Sequence, residues 1–202
     1  GVEGCGKSFQ SKKLFNTLKR NKINSILTRE PGGTKSSELI RNLILKDYFE
    51  KKNKEKFDRY TDTLLYLAAR NEHIKNKIKP ALLKKKIVIC DRFTDSTLAY
   101  QVYGKKVDIE FINNIHKKIL DGIKPNIVFV LKVDEKISRA RLKKRKIKNR
   151  YDKFSKSFYS KAQNSFLNIA KNKKNYYVLN SSSNDSTLEK KIFDIVNKYL
   201  NI

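Results

Sequence analysis

The sequence predicts an α/β fold, a parallel sheet flanked by helices, and three observations carry that prediction. The chain opens on Gly1-Val2-Glu3-Gly4-Cys5-Gly6-Lys7-Ser8, which fits the pattern Gly, four residues, Gly-Lys-Ser. Short apolar runs such as Ile87-Val88-Ile89-Cys90 alternate with stretches of helical apolar spacing. Charged residues stand directly after those runs, at the strand ends where open α/β sheets bind their ligands.

Each element has its own reason. The octet is a phosphate-binding loop, the P-loop: Gly1, Gly4 and Gly6 allow backbone conformations that a Cβ would block, so successive N–H groups converge on one anion. Lys7 adds a point charge, and the Ser8 hydroxyl suits the magnesium that a nucleotide carries. Phe9, Leu14, Phe15 and Leu18 fall at helical spacing, which puts the positive end of a helix dipole under the same anion. A strand should lead into such a loop; the sequence opens on the loop itself, so the first strand is expected to be absent from this chain. Cys5, in an anion-binding loop at a helix start, is expected to be a modestly reactive thiol.

Ile23 to Thr28 reads as a strand, followed by the loop Arg29-Glu30-Pro31-Gly32-Gly33-Thr34. From about Lys35 a helix carries Leu39, Ile40, Leu43 and Ile44 on one side, with Arg41 among them. Asp58 to Ile78 predicts a longer helix on which Tyr66 and Arg70, four apart, share a face. Pro80 ends or restarts it. Ile87 to Cys90 is a buried parallel strand with Asp91-Arg92 at its carboxyl end. Asp108 to Leu120 is helical, Ile127 to Val133 another buried strand, and Asp134 caps a helix bearing Arg139, Arg141 and Arg145. Lys143 to Tyr151 reads as a basic loop. A helix from about Asp152 to Ala170, a strand at Tyr176 to Leu179, a polar turn from Asn180 to Asp185 and a helix to Leu200 complete a P-loop α/β fold in one domain spanning residues 1–202, with no repeats. His73 and His116 have no partner spacing and receive no role.

The 202 residues suffice to bury about 70% of the unfolded surface. No apolar run approaches the roughly 20 residues that cross a bilayer, and nothing reads as a signal peptide, so the expected compartment is the cytosol. Two cysteines without ligand spacing exclude a zinc or disulfide framework. The net charge of +27 invites a nucleic-acid reading. Only ten of the basic residues are arginine, however, and the lysines are scattered among many Asn and Ile, a balance that A/T-rich coding alone produces. No specific nucleic-acid partner is expected, although a basic surface would speed encounter with anionic substrates.

Several of these stretches together resemble the thymidylate kinases along essentially the whole chain. Thr28-Arg29-Glu30-Pro31-Gly32-Gly33-Thr34 resembles the family's loop after its second strand, and Ala68-Ala69-Arg70 its nucleoside-binding helix. Asp91-Arg92-Phe93 with Ser96, Ala99, Tyr100 and Gln101 resembles its third-strand signature. The resemblance implies a cytoplasmic, magnesium-dependent homodimer that transfers the ATP γ-phosphoryl group to dTMP. It implies that Gly1, Gly4, Cys5, Gly6, Lys7, Ser8 and Phe9 surround the ATP phosphates, with Ser8 and Asp91 toward the metal and Arg139 near the adenine. Arg41 would grip the dTMP phosphate, and Arg92 would bridge donor and acceptor phosphates. Glu3 would accept the 3′-hydroxyl, Tyr66 would stack on the base and Arg70 would hydrogen-bond it. Ser96, Thr97 and Gln101 would lie nearby, and Tyr100 would crowd a 2′-hydroxyl. The loop has no arginine between Gly1 and Gly6, which matches the bacterial members that supply one from a lid. Asn149-Arg150-Tyr151-Asp152 resembles that motif, so Arg150, with Arg145, is the expected catalytic lid arginine in a lid of about 143–152. Phe9 and Tyr66 depart from the usual Thr and Phe. Alternatives are another nucleoside monophosphate kinase, or a P-loop nucleotide- or nucleic-acid-binding protein without catalysis.

Overall fold

A computed structural model describes residues 1–46, 56–144, 155–183 and 186–201. Among the described residues, four strands form two parallel pairs. β1 (Ser25–Arg29) lies beside β2 (Ile87–Asp91), in register from Ser25 opposite Ile87 to Arg29 opposite Asp91. β3 (Val128–Lys132) lies beside β4 (Tyr176–Asn180), from Val128 opposite Tyr176 to Lys132 opposite Asn180. These are the β-branched and aromatic runs of the sequence, and helices join them, as parallel connections require.

Around the strands pack α1 (Lys7–Arg20), α2 (Lys35–Leu45), α3 (Arg59–His73), α4 (Lys79–Leu83), α5 (Thr94–Thr97), α6 (Ile109–Ile119), α7 (Glu135–Lys143), α8 (Lys156–Ala170) and α9 (Thr187–Leu200). Side-chain caps fix several starts: Asp58 accepts from the Tyr60 N–H, Asp108 from Glu110, and Asp134 from Lys136 and Ile137. Thr34 and Ser37 form a reciprocal capping box on α2.

Two segments differ from the sequence reading. The long helix gives way to a π-helical turn, Ile74–Ile78, which the spacing does not signal, and restarts as α4, where Pro80 occupies the first turn and its missing N–H is not needed. Residues 94–104, which the periodicity leaves unassigned, form α5 and a π-helical continuation, Leu98–Gly104. That helix has no simple apolar stripe because it holds both core residues, such as Ala99, and polar ones aimed at the site.

The largest core cluster joins Val2 and Cys5 to Val130, Leu131, Tyr159 and Phe166. A second centres on Leu18, Ile89 and Val196, joining α1, β2 and α9, and a third on Leu67, Val107 and Ile112, joining α3 to α6. Among the described residues no strand leads into the phosphate-binding loop. β2 and β3 do not pair with each other, and both line a cavity of about 430 Å³ together with Leu14, Leu18, Ile192 and Val196. No helix among the described residues is long and apolar enough to cross a membrane.

Leu18 is fully buried where α1 meets the first strand pair. Leu18→Ala should therefore lower the unfolding free energy by about 2–5 kcal/mol, read from urea denaturation curves.

Candidate active site

The in-register pairing of β1 with β2 brings both strand ends to one level. Glu30 follows β1 and donates its N–H to the Asp91 carbonyl at 3.0 Å. Beside them, α1 begins at Lys7 behind Gly6, which is left-handed at φ 88°. No side chain caps this helix and its first turn holds no acidic residue, so its free N–H groups remain available to an anion. Gly4 must be glycine for two reasons: its φ is +73°, and a Cβ would lie 2.7 Å from the Ser138 carbonyl oxygen.

A cavity of about 420 Å³ opens there, within the range of small-ligand sites. Its walls bring together Glu3, Gly4, Gly6, Lys7, Ser8, Phe9, Arg41, Tyr66, Arg70, Asp91, Arg92, Ser96, Thr97, Tyr100 and Gln101. Three residues named from the sequence are not on those walls. Gly1 lines the cavity between the two strand pairs. Cys5 is fully buried, its side chain in the main core cluster. Arg139 lies on the outer side of α7, paired with Glu135 one turn back at 2.9 Å. Arg145 and Arg150 lie outside the described residues.

Carboxylates hold the cations of the site in place. Glu3 accepts from Arg92 Nη2 at 2.7 Å and from the Tyr100 hydroxyl at 2.6 Å, and the Arg92 guanidinium lies 5.5 Å from the Tyr100 ring centroid. Burial opposes ionisation of Glu3, but Arg92, Lys7 and the Tyr100 bond outweigh it and hold the carboxyl below its ordinary value. Burial beside Glu3 pushes the Tyr100 hydroxyl well up, so it stays protonated and donates. Arg92 itself sits at φ 74°, a left-handed conformation uncommon for a non-glycine residue.

Asp91 accepts from the Ser8 hydroxyl, and burial of this carboxyl is outweighed by Lys7 and Arg92, so it too is held low. Its Oδ1 is buried with no hydrogen-bond partner among the described residues. An ionised, unpartnered carboxylate oxygen beside a hydroxyl is the donor set that suits a hard divalent cation or its bound water. Lys7 Nζ donates to the Val2 carbonyl at 2.6 Å, and Arg41 Nη1 to the Pro31 carbonyl at 2.6 Å. The Glu30-Pro31 bond is cis.

At the other end of the cavity's residue set, Arg70 is only 3% exposed. Its Nε donates to Glu30 Oε2 at 2.8 Å and its Nη2 lies 2.7 Å from the same oxygen. Glu30 is buried yet held below the usual carboxyl range by Arg70 and by the bond from His73. His73 in turn meets Thr28 Oγ1 through Nε2 at 2.6 Å.

The thymidylate kinase family model matches residues 1–192. The chain belongs to the thymidylate kinase family. It is 43% identical to the thymidylate kinase of Wolbachia sp. subsp. Brugia malayi over 175 residues, covering 85% of this chain and 79% of that one. It is 38% identical to that of Wolbachia pipientis subsp. Culex pipiens over 203 residues, 98% and 93% of the two chains. The crystal structure of thymidylate kinase from Ehrlichia chaffeensis superposes with a TM-score of 0.72 at 33% identity, covering 99% of this chain and 95% of that one.

Family motifs leave part of the wall unaccounted for. Leu45, Arg141, Leu142 and Lys144 also line the cavity, as do Arg29, Glu30 and Pro31 of the loop after β1 that does resemble the family. Arg141 donates to the carbonyls of Gly4 at 3.3 Å and Ser181 at 2.9 Å, tying the P-loop to the turn after β4. The sequence places Arg139, Arg141 and Arg145 on one helix, and the resemblance puts Arg139 near the adenine and Arg145 in the lid. Counting from Ser138, whose hydroxyl donates to the Glu3 carbonyl at 2.9 Å, the i+3 spacing selects Arg141 instead. The two histidines had no signal at all, since their partners come from β1, the loop after it and α3.

Two outcomes follow. Cys5 is fully buried and burial raises the Cys90 thiol, which donates to the Arg92 carbonyl at 3.0 Å; neither should take up iodoacetamide at pH 7 in the folded protein, and both should do so in denaturant. Glu3, Glu30 and Asp91 have folded pKa values below their unfolded ones, so their stabilisation is present above about pH 4 and lost as pH falls through the lowered values. Glu30→Gln should cost about 3–5 kcal/mol at pH 7 by leaving Arg70 buried and unpaired, and should flatten the acid limb of a urea-stability profile against pH.

Proposed function

We propose that this chain is a dTMP kinase, transferring the γ-phosphoryl group of ATP to dTMP to give dTDP in nucleotide biosynthesis. The observation that carries the reading is that a P-loop helix start, a phosphate-directed arginine pair and a donor-only base reader share one cavity. Phosphoryl transfer asks little covalent chemistry of the protein and much positioning and charge stabilisation. The first-turn N–H groups of α1 and Lys7 hold the outer phosphates of ATP. Ser8 and Asp91 hold a divalent cation, which we take to be Mg²⁺; when bound, it neutralises charge on the phosphate oxygens. Arg41 holds the acceptor phosphate. Arg92, steadied by Glu3 on one edge, keeps other N–H groups for the group in transit between the two phosphates. The motif Asn149 to Asp152 supports Arg150, with Arg145, as further sources of positive charge.

Glu3 has a carboxylate able to accept the sugar 3′-hydroxyl, and the Tyr100 ring and hydroxyl close the space beside it against a 2′-hydroxyl. Tyr66 stacks on the base. Arg70 has only donors, so it selects a base edge that presents a carbonyl oxygen, as thymine does, over one that presents an amino group. Ser96, Thr97 and Gln101 complete that end. Arg141 and Leu142, next to the P-loop, serve the adenine side in place of Arg139. We read residues 1–202 as one kinase domain working in the cytoplasm. We read it also as a homodimer, which the exposed Leu39, Leu43 and Leu64 on the packed helices α2 and α3 support.

ADP release from ATP and Mg²⁺ should be strong with dTMP and weak with dUMP, dCMP, dGMP and AMP. Arg92→Ala should lower kcat about 10²–10³-fold with a smaller change in the KM for ATP. EDTA should abolish turnover and Mg²⁺ restore it. Equal turnover with another monophosphate would overturn the base assignment.

A further inference from the structure

Arg70 is held from more directions than an ion pair needs. Besides Glu30, its Nη1 donates to Thr97 Oγ1 at 2.9 Å and to His116 Nε2 at 2.7 Å, and its plane lies 5.4 Å from the Phe93 ring centroid. A guanidinium has five N–H groups. Nη1 spends both of its own on Thr97 and His116, Nε spends its one on Glu30, and Nη2 has one more than its contact with Glu30 can use. Glu30 and Thr97 belong to the cavity wall, whereas His116 does not. It comes from α6, an element with no residue on that wall, and it is 7% exposed.

The chemistry fixes the state of this imidazole. Arginine cannot accept, so His116 Nε2 must, and the ring proton sits on Nδ1. Burial and the neighbouring Arg70 charge lower the His116 pKa to about 4, so the accepting form persists through neutral pH. Within the cluster Glu30 offsets the Arg70 charge and lies 3.1 Å from His73 Nδ1, and His116 adds an acceptor without adding charge. A second carboxylate in that place would have made the cluster anionic; a lysine would have repelled Arg70.

We propose that His116 is a positioning residue for base selection, its Nε2 lone pair turning the Arg70 guanidinium so that one Nη2–H meets the carbonyl oxygen of the pyrimidine. This rests on the reading of Arg70 as the base-recognising residue. His116 touches no substrate; it acts through the orientation of Arg70. An arginine released from it could rotate about its last side-chain bonds, and the donor that separates a carbonyl from an amino group would lose its fixed place.

The test compares dTMP with 5-methyl-dCMP, which keeps the methyl group but carries an amino group in place of the C4 oxygen, with N3 changed from donor to acceptor as a consequence. KM and kcat are measured for both, with the KM for ATP and the melting temperature, in the full chain and in His116→Leu, His116→Asn and His116→Gln. The Gln carbonyl reaches the place of Nε2 and can accept from Arg70; the Asn carbonyl falls short and Leu has none. Leu and Asn should raise the KM for dTMP about tenfold, the worth of one charge-assisted hydrogen bond, and cut the dTMP preference by a similar factor, leaving the KM for ATP unchanged. Gln should stay within about threefold of the parent on both counts. If Leu does not fold, Asn against Gln decides. An unchanged preference in the loss variants, a Gln variant no better than Asn, or a KM for ATP that rises in step would each overturn the proposal. A parent chain that does not distinguish the two nucleotides would sink the Arg70 reading itself, and His116's role with it.

Discussion

The geometry of the site depends first on the register between two short parallel strands. Arg29 stands opposite Asp91, so β1 and β2 finish at one height, and the Glu30 N–H closes onto the Asp91 carbonyl just beyond. A slip of one residue would turn every side chain of a strand to its other face. Register therefore decides whether Glu30, which anchors Arg70, and Asp91, which faces Ser8, rise from one floor. The apolar runs that pair these strands thus do chemical service by placing the charged residues that follow them.

Above that floor, the site is a set of opposed charges that mutually fix one another. Glu3 with Arg92, Glu30 with Arg70, and Asp91 beside Lys7 each bury a carboxylate whose desolvation the neighbouring cations outweigh, so each stays ionised. Each pair also fixes the position of its cation. Prearranged dipoles and charges need not reorganise when a phosphoryl group moves, which is where their catalytic value lies. The surrounding surface, with a formal net charge of +27, draws polyanionic nucleotides toward the cleft at low salt.

How much of this the sequence revealed followed the range of the interactions. The P-loop, the strand runs and the caps at Asp108 and Asp134 are local, and each could be read from neighbours within a few residues. The helix over 94–104 escaped because its residues face partly the core and partly the cavity, which erases a simple period. Arg141 received no role because helix phase can be set only once a neighbouring contact, here Ser138 to the P-loop, is known. Cys5 looked accessible because a phosphate loop suggests exposure, yet its side chain turns back into the core. His73 and His116 could not have been found, since their partners are separated from them by 43 to 46 residues and obey no spacing rule.

The left-handed backbone at Arg92 sets a limit on how this protein can evolve. An L side chain in that conformation costs about 1–2 kcal/mol, a cost glycine would escape. The most economical local repair of the backbone would thus delete the guanidinium that Glu3 holds over Tyr100. Gly there would relax the backbone and leave the Glu3 carboxylate and the Tyr100 ring without the cation that lies between them. The strain is held in place by what the side chain touches, and it shows in a single backbone angle.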